Sequence, residues 1–203
     1  MSPKISSIMM EEKKETIIDA AYECFAKTGY VGTSIDDIAS QAGSSKGAIY
    51  NYFPSKDDIF LTLMKRKCLR ARIELFYQFE HFDSANMKLR YLINSGFPVN
   101  ILGQCWDRVK AEFILCASEK AEFREFWLKE NQMLTDIVKT IYEDGIKAGE
   151  IDESVDCENM AILFWAFIDS LNVQRLYGID HADHCGVFRL MEKMFIDNVK
   201  AGI

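Results

Sequence analysis

Apolar residues recur along the chain mostly at intervals of three and four, which is the spacing of one face of an α-helix. In the first part of the chain, this pattern and its capping and breaking residues predict four helices, at about 11–27, 34–41, 44–52 and 55–80. Gly29 suits the end of the first helix because glycine takes the left-handed conformation without strain. Pro54 disfavours helix at Phe53 and so separates the third helix from the long fourth one.

Helical patterns continue to the end of the chain, at about 84–95, 101–118, 121–148, 157–177 and 183–200. The chain has 203 residues, of which 49% are hydrophobic, and this is enough for one or two domains with a real core. Three prolines and eleven glycines are too few for long coil or disorder. We therefore expect an all-α protein of about nine helices.

Three positions in the second and third helices predict a helix-turn-helix. Ala39 is small where two helices would cross, and Gly43 supplies a permissive backbone at the turn. Ile49 is an apolar residue that can hold the third helix on the second. The motif, centred on residues 43–53, indicates a DNA-binding protein.

The segment from Lys13 to Leu63 resembles the DNA-binding domain of the TetR family of transcriptional regulators. Three runs carry the resemblance: Ile18-x-Ala20-Ala21-x5-Lys27-x-Gly29-Tyr30, Thr33-Ser34-Ile35-x2-Ile38-Ala39-x2-Ala42-Gly43 and Ser45-Lys46-Gly47-Ala48-Ile49-Tyr50-Asn51-Tyr52-Phe53-x2-Lys56. The rest of the chain matches the family only in its helical character and length.

The resemblance implies a three-helix DNA-binding domain with a helix-turn-helix at residues 1–54. A helical ligand-binding and dimerisation domain would follow at 55–203, joined to the first by the long fourth helix. The third helix would enter the major groove and the second would lie over the DNA backbone. The residues then expected to contact double-stranded operator DNA are Thr33, Ser44, Ser45, Lys46, Gly47, Ala48, Tyr50, Asn51, Tyr52 and Lys56.

The chemistry of these side chains suits such contacts. Lys46 can reach a phosphate or a guanine edge, and the small apolar Ala48 suits a thymine methyl group. Lys56, at the start of the fourth helix, is expected to clamp a phosphate. Asn51 stands where the family often has histidine, and this departure leaves the operator sequence open.

Other roles remain open for several of these residues. The hydroxyls of Thr33 and Ser44 either hold a phosphate or only cap a helix. Tyr52 either faces the sugar-phosphate backbone or packs inward beside Phe53. The basic run at 65–72 is either part of the DNA surface or a solvated helix face.

The net charge of −7 argues at first against a nucleic-acid partner. The charge is unevenly distributed, since residues 1–83 carry a net −1 and residues 84–203 a net −6. Residues 44–72 hold seven basic side chains against two acidic ones, a local +5 where a DNA surface would lie. The acidic part of the chain would therefore face away from the phosphates.

The bulk features also indicate where the protein acts. No apolar run reaches the length of a membrane span, and the N-terminus lacks the apolar stretch of a signal peptide, so we expect a cytoplasmic protein with no membrane partner. The six cysteines form no CxxC pair and are expected to be buried, reduced thiols; redox sensing stays open.

The segment at 160–176 is apolar on nearly every side, and a helix of this kind has to be covered on all sides. A second copy of the chain is the simplest cover, and a dimer also suits an operator with two half-sites. The resemblance implies that the last two helices form the interface. The residues expected there are Phe164, Ile168, Leu171, Phe188, Met191 and Phe195.

A ligand pocket is expected among the middle helices, where a small and mostly apolar effector would bind. The residues expected to line it are Cys105, Trp106, Val109, Glu112 and Phe113. Glu112 lies within an apolar stripe, where it either pairs with an arginine or meets a cationic or hydroxylated ligand. Trp106 and Phe113 either stack on a planar compound or belong to the core. Asp169 either lines the pocket or makes hydrogen bonds across the dimer.

The sequence leaves three alternatives for the function of the protein. A repressor that its effector releases from DNA is favoured, and nothing in the sequence separates it from an activator or a partner-dependent regulator. An enzyme is disfavoured because there is no Gly-rich phosphate loop, GxSxG elbow or HExxH helix. The His181-x2-His184-Cys185 spacing permits a metal ligand set, but a polar loop explains it better, and no metal or other cofactor is expected.

Overall fold

The computed structural model describes residues 3–95, 105–176, 178–179 and 185–200, and within these ranges it contains nine α-helices and no strand. The helices are α1 (Pro3–Gly32), α2 (Ile35–Gln41), α3 (Lys46–Tyr50), α4 (Lys56–Phe79), α5 (Ala85–Asn94), α6 (Trp106–Glu119), α7 (Ala121–Lys147), α8 (Cys157–Leu176) and α9 (Cys185–Phe195). The all-α fold predicted from the spacing of apolar residues is confirmed.

Most helix ends lie within one or two residues of their predicted positions, but several differ clearly. The first helix ends at Gly32 rather than near residue 27, beyond a non-helical break at Gly29 (φ +79°), and the helix predicted from residue 101 is described from Trp106. Helix α1 begins at Pro3 rather than near residue 11, because proline is tolerated in a first turn and no breaking residue follows it. Helix α9 ends at Phe195, before a short 3-10 turn at Asp197–Val199. There the carbonyl of Val199 accepts a hydrogen bond of 2.8 Å from the backbone N–H of Asp152, which takes the chain out of the helical path.

The chain divides into two compact units, and the division does not follow the order of the sequence. The first unit comprises Met1–Leu69 and Arg108–Phe123, and the second comprises Arg70–Asp107 and Arg124–Ile203. The first unit therefore holds not only α1, α2 and α3 but also nearly all of α6. Helices α4 and α7 each contribute residues to both units.

An aromatic cluster forms the core of the first unit. Its rings lie 4.6–5.9 Å apart between centroids, and its members are Phe25, Tyr30, Phe60, Phe113 and Phe123. Burial of aromatic rings is a large source of stability, so this cluster fixes α6 on α1 and α4. The core of the helix-turn-helix is aliphatic, with Ile38 and Ile49 fully buried.

The second unit packs α8 and α9 against α7. Phe195 lies 5.3 Å from the Phe164 ring, between centroids, and its carbonyl accepts a hydrogen bond of 2.9 Å from the Tyr142 hydroxyl. The indole N–H of Trp165 donates to the carbonyl of Leu134 at 2.7 Å. These contacts place one side of α8 in the unit's own core.

Two expectations from composition can be compared with the structure. Cys68 is buried, but Cys24, Cys116 and Cys157 are only partly buried and Cys105 is exposed, so the prediction of buried thiols is wrong for these four. In the described part of the chain, no helix is both long and apolar enough to cross a bilayer.

Candidate DNA-binding interface

The turn between α2 and α3 has the geometry that a helix-turn-helix requires. Gly43 has a φ of +58°, in the left-handed region that favours glycine. The Ser44 N–H donates to the Ala39 carbonyl at 2.8 Å and closes the turn. Ala39 is 4% exposed and Ile49 is fully buried, as their proposed packing roles require. The three positions singled out in the sequence are therefore brought together as predicted.

Short side chains fix the starts of both helices. Ser34 and Asp37 form a capping box on α2, with 3.1 Å from Asp37 N–H to Ser34 Oγ and 2.7 Å from Ser34 N–H to the Asp37 carboxylate. The hydrogen bonds from Ser34 lower the pKa of Asp37. Ser45 caps α3 by accepting from the Ala48 N–H at 3.2 Å. The cap of α2 is thus Ser34 and not Thr33.

The surface of α3 opposite Ile49 presents most of the predicted DNA contacts. Its exposed members are Ser45, Lys46, Gly47, Tyr50 and Asn51, and Ser44, Ala48 and Tyr52 are partly buried. We call this set of eight residues the recognition surface. It forms one continuous stretch because α3 is a single short helix whose only buried residue is Ile49.

Lys46 is already engaged within the protein. Its ammonium lies 2.7 Å from the carboxylate of Asp36 on α2, and the two side chains are 52% and 65% exposed. The hydrogen bond and the charge of Asp36 raise the pKa of Lys46. A phosphate or guanine that binds Lys46 therefore competes with Asp36, a residue that the sequence analysis did not single out.

Thr33 and Lys56 turn inward, away from the recognition surface. The Thr33 side chain is 2% exposed and its hydroxyl lies 2.7 Å from the Gly29 carbonyl. The Lys56 ammonium donates to the carbonyls of Tyr30 and Thr33, at 2.7 Å each, and burial lowers its pKa. Their predicted phosphate contacts thus involve groups that the protein itself already uses.

Much of the local positive charge is also compensated internally. Arg66 pairs with Glu11 and Glu15 on α1, and the Lys67 ammonium lies 3.9 Å from the centroid of the Tyr22 ring. Lys65 and Arg70 remain exposed on α4. The local charge of +5 thus overstates the positive surface, and the basic run mostly fits a structural role.

Tyr30 is the centre of a second group of polar contacts in the first unit. Its hydroxyl donates to Asp57 at the start of α4, and its backbone N–H donates to the Glu112 carboxylate on α6. Lys120, which follows α6, donates to both Asp57 oxygens, at 2.6 and 2.5 Å, and to the Tyr30 hydroxyl at 3.1 Å. We call Tyr30, Asp57, Glu112 and Lys120 the Tyr30 cluster.

The pKa values in the Tyr30 cluster follow from these contacts. Burial and the hydrogen bond to Asp57 raise the pKa of Tyr30 to about 12. Burial acts to raise the pKa of Asp57, but hydrogen bonds from Lys120 and Tyr30 and the nearby positive charges bring it below its usual value. Burial acts to lower the pKa of Lys120, but its hydrogen bonds to Asp57 and Tyr30 raise this pKa above its usual value. The cluster thus holds an ionised Lys120–Asp57 pair and a neutral phenol at neutral pH.

Within the described residues, most of the predicted ligand residues are buried. Trp106, Val109 and Phe113 are at most 2% exposed, and Cys105 lies at the surface. Glu112 accepts from Tyr30 and lies 3.5 Å from Arg108, which fits the structural alternative of a pair with arginine. Phe113 belongs to the aromatic core of the first unit, where its ring packs against the rings of Phe60 and Phe123. In the described structure these side chains serve packing and the Tyr30 cluster, and their role in ligand binding stays a prediction.

The second unit contains a groove of about 520 Å³ that the sequence analysis missed. Its walls come from the end of α4, from α5 and from α7. The lining residues are Phe76, Phe79, Glu80, Lys88, Met133, Asp136, Ile137, Thr140, Ile141 and Asp144. A volume of this size suits a small-molecule ligand. The repeat of Asp136, Thr140 and Asp144 at every fourth residue was the one sequence signal for a polar row on α7.

The predicted dimer residues stay a prediction, and most of them are buried within the second unit. Phe164, Ile168, Met191 and Phe195 are 0–6% exposed because they pack within the second unit, and Leu171 and Phe188 are partly buried. The apolar side chains that α8 and α9 expose are different ones. They are Ile162, Leu163, Phe167, Val173, Leu176, Leu190 and Met194, each 37–57% exposed.

Metal-ligating groups are not assembled in the described ranges, where no three His, Cys, Asp or Glu side chains are placed to hold one ion. His181 and His184 lie outside those ranges, so the metal alternative considered for them is not addressed by the structure.

Together, the turn, the caps and the exposed face of α3 define a helix-turn-helix DNA-binding transcriptional regulator. The family model described as "Bacterial regulatory proteins, tetR family" matches residues 17–63, the segment that contains all three features. Residues 17–63 of the chain thus match the DNA-binding segment of the TetR family.

Two curated relatives and one solved structure extend the similarity beyond the DNA-binding segment. The "Fatty acid metabolism regulator protein" of Bacillus subtilis is 29% identical over 160 residues, covering 75% of this chain and 78% of the relative. The "HTH-type transcriptional repressor AcnR" of Corynebacterium jeikeium is 26% identical over 159 residues, covering 78% and 79%. The FadR regulator of Bacillus subtilis, solved in complex with stearoyl-CoA, has a TM-score of 0.73 at 25% identity, covering 93% of this chain and 98% of that one.

Proposed function

We propose that the chain is a homodimeric repressor that occupies an operator and leaves it when a small effector binds the second unit. It would act in the cytoplasm, where bacterial DNA lies, and by binding rather than by catalysis. The observation that carries the proposal is the exposed recognition surface on α3, held at its back by Ile49 and at its start by Ser45. This is the arrangement that reads the major groove in helix-turn-helix proteins.

The dimer is supported by the exposed apolar side of α8. This helix is apolar on nearly every side, and in the described part of the chain the side with Phe164 and Ile168 is covered within the unit. Leu163 and Phe167 on the uncovered side are 50% and 40% exposed. Apolar surface of this kind is typical of an interface between subunits, and two copies would present two recognition surfaces to two half-sites.

The effector site that we propose is the α4–α5–α7 groove. Helix α4 carries Phe76 and Phe79 in the groove at one end and begins at Lys56, next to the helix-turn-helix, at the other. A ligand that favours another position of α4 would thereby change the spacing of the two recognition surfaces. The Tyr30 cluster supports this coupling, because it holds the first turn of α4 through Asp57.

Repression is supported by the relative that is named a repressor, and effector binding by the stearoyl-CoA complex of the FadR regulator. Selection of duplexes from a randomised pool with the full chain tests the DNA step. We expect a preferred sequence with two half-sites about one helical turn apart, bound with an affinity that falls steeply with salt. Failure to enrich any sequence would contradict the proposal.

A reporter gene placed behind the selected sequence tests the direction of control. Co-expression of the chain in a bacterial host is expected to lower reporter output, because a dimer on the operator excludes polymerase. Higher output would instead identify an activator. The variant Lys129→Ala serves as the control, since Lys129 is 73% exposed on α7 in the second unit and pairs with Glu125, four residues away on the same helix.

A further inference from the structure

We infer that the α4–α5–α7 groove takes an amphiphilic cation, a molecule with an apolar body and an ammonium group. This inference rests on the proposed function only in treating the groove as the effector site. It is drawn from the chemistry of the lining residues, which combine an apolar wall with a row of carboxylates.

The apolar wall is formed mostly by side chains that the protein leaves partly open, although Ile141 is only 5% exposed. Met133, Ile137 and Ile141 recur at every fourth position and lie on one face of α7. Phe76 and Phe79 of α4 face the same groove, with ring centroids 6.5 Å apart in an edge-to-face arrangement. Phe76 and Met133 are 52% and 42% exposed, so an apolar body bound here would remove their surface from water.

The polar wall is a second row on the same helix. Asp136, Thr140 and Asp144 also recur at every fourth position. At 1.5 Å per residue, the two carboxylates are separated by roughly 12 Å along the helix axis. The two carboxylates thus flank the groove over the length of a medium-sized ligand. A ligand could therefore bind at different places along the groove and still bring its ammonium group close to a carboxylate.

The balance of charge gives the sign of the ligand. Among the described residues, the lining has three carboxylates, from Glu80, Asp136 and Asp144, and one ammonium, from Lys88, which makes a net charge of −2. The partners that Asp136 and Asp144 have within the protein are exposed ones: Asp136 accepts from Gln132 at 2.9 Å, and Asp144 pairs with Lys147 at 2.9 Å.

These partners do not prevent the carboxylates of Asp136 and Asp144 from binding a cation in the groove. Lys147 is 71% exposed, and ion pairs so exposed hold little energy. An anionic head group would meet the net negative charge, whereas an ammonium gains from the carboxylates. The Lys88 ammonium lies 5.8 Å from the centroid of the Phe79 ring, so this ring already has a cation beside it. An acyl-CoA, with its phosphates, is therefore the wrong ligand class for this groove.

Titration calorimetry on the full chain compares three probes with the same twelve-carbon chain, each below its micelle concentration: dodecyltrimethylammonium, dodecanoate and dodecyl maltoside. We expect the cation to bind about tenfold more tightly than the anion, with the neutral probe between them. Equal or tighter binding of dodecanoate, or equal binding of all three probes, would overturn the inference.

Variants of the groove make the same test without relying on one measurement. Asp136→Asn combined with Asp144→Asn is expected to weaken binding of the cation about tenfold. The control is Glu125→Gln, which is expected to leave the affinity unchanged. Glu125 is an exposed α7 carboxylate that, like Asp144, pairs with a lysine on the same helix. Lys88→Met is expected to tighten cation binding, because it removes the one basic group of the lining. Unchanged affinity in both groove variants would contradict the assigned ligand class.

The failure of the inference and that of the proposed function are separable. Adding the cation to the complex with the selected duplex tests whether the groove controls DNA binding. Binding that depends on Asp136 and Asp144 without release of DNA upholds the ligand class and refutes the effector role. Release of DNA by dodecanoate and not by the cation upholds an effector-controlled repressor and refutes the ligand class.

Discussion

The ammonium of Lys120 lies within 2.6 Å of both carboxylate oxygens of Asp57, and this ion pair ties the end of α6 to the first turn of α4. Helix α6 comes from the second half of the sequence, yet nearly all of it belongs to the same compact unit as the helix-turn-helix. The α4 turn that follows the recognition helix is therefore held by a helix distant in sequence. This arrangement gives the Tyr30 cluster its proposed part in coupling.

Replacing Lys120 by methionine is expected to loosen α6 from the first unit. The change removes the bonds to Asp57 and Tyr30 but keeps most of the aliphatic stem. Hydrogen exchange followed by mass spectrometry should show amides at 108–119 exchanging several-fold faster, because local opening becomes less costly. Lys129→Met, at an exposed α7 position, is the control and should leave exchange there unchanged. Equal protection in both variants would refute the role of this ion pair.

Tyr30 is expected to remain protonated well beyond the pH at which ordinary tyrosines ionise. Because its folded pKa of about 12 lies above the usual value, its contribution to stability is complete below pH ~10 and is lost as the pH rises through about 12. The difference in phenolate absorbance between the wild type and Tyr30→Phe isolates this group. A midpoint near 12 is expected for the folded protein, and one near 10 would show that the buried hydrogen bond to Asp57 does not exist in solution.

The sequence predicted the helix-turn-helix closely because its signals are local. In the sequence, Gly43 indicates a residue with positive φ, and Ser34 and Ser45 indicate the starts of helices. Ile49 indicates the side of α3 that packs against the rest of the unit. Each of these constraints acts over a few residues, so a single chain is enough to read them. Most helix ends between α2 and α8 were predicted well for the same reason.

The ligand and interface residues were harder to predict because their surroundings are set by distant parts of the chain. Glu112 looked like a pocket carboxylate within an apolar stripe, but its partner is the backbone N–H of Tyr30, 82 positions away. Helical periodicity showed that α8 is apolar on every side, but it does not tell which side Phe164 or Leu163 occupies. Tertiary packing decides both questions.

Asp36 is expected to limit non-specific binding to DNA. Its carboxylate neutralises Lys46 and lies close to the recognition surface, so Asp36→Asn frees one cation and removes one repulsive charge. Affinity for an unrelated duplex should rise about threefold to tenfold, and the salt dependence should steepen by about one unit. Fluorescence anisotropy over a series of salt concentrations measures both. The control is Glu153→Gln at an exposed position of the second unit, which should change neither the affinity nor its salt dependence. An unchanged salt dependence in Asp36→Asn would count against the ion pair between Asp36 and Lys46.

Leu163→Glu is expected to separate the proposed dimer. Leu163 is 50% exposed on the uncovered side of α8, and a carboxylate there would be buried without a partner at the interface. Sedimentation velocity should show a monomer that keeps its helical circular dichroism. The matched control is Leu128→Glu on α7, where the leucine is 63% exposed, and this variant should remain dimeric. A dimer in both variants would place the interface elsewhere.

The central claim is that the exposed face of α3 reads DNA, and the combined variant Lys46→Ala and Tyr50→Ala tests it most directly. Both side chains are exposed, so their removal should leave the fold and the oligomeric state intact. Anisotropy with the selected duplex and the wild-type protein gives the reference affinity. The account predicts a loss of at least about 100-fold for the combined variant and no change for Lys129→Ala. Wild-type affinity in the combined variant would contradict the assignment of α3 as the recognition helix.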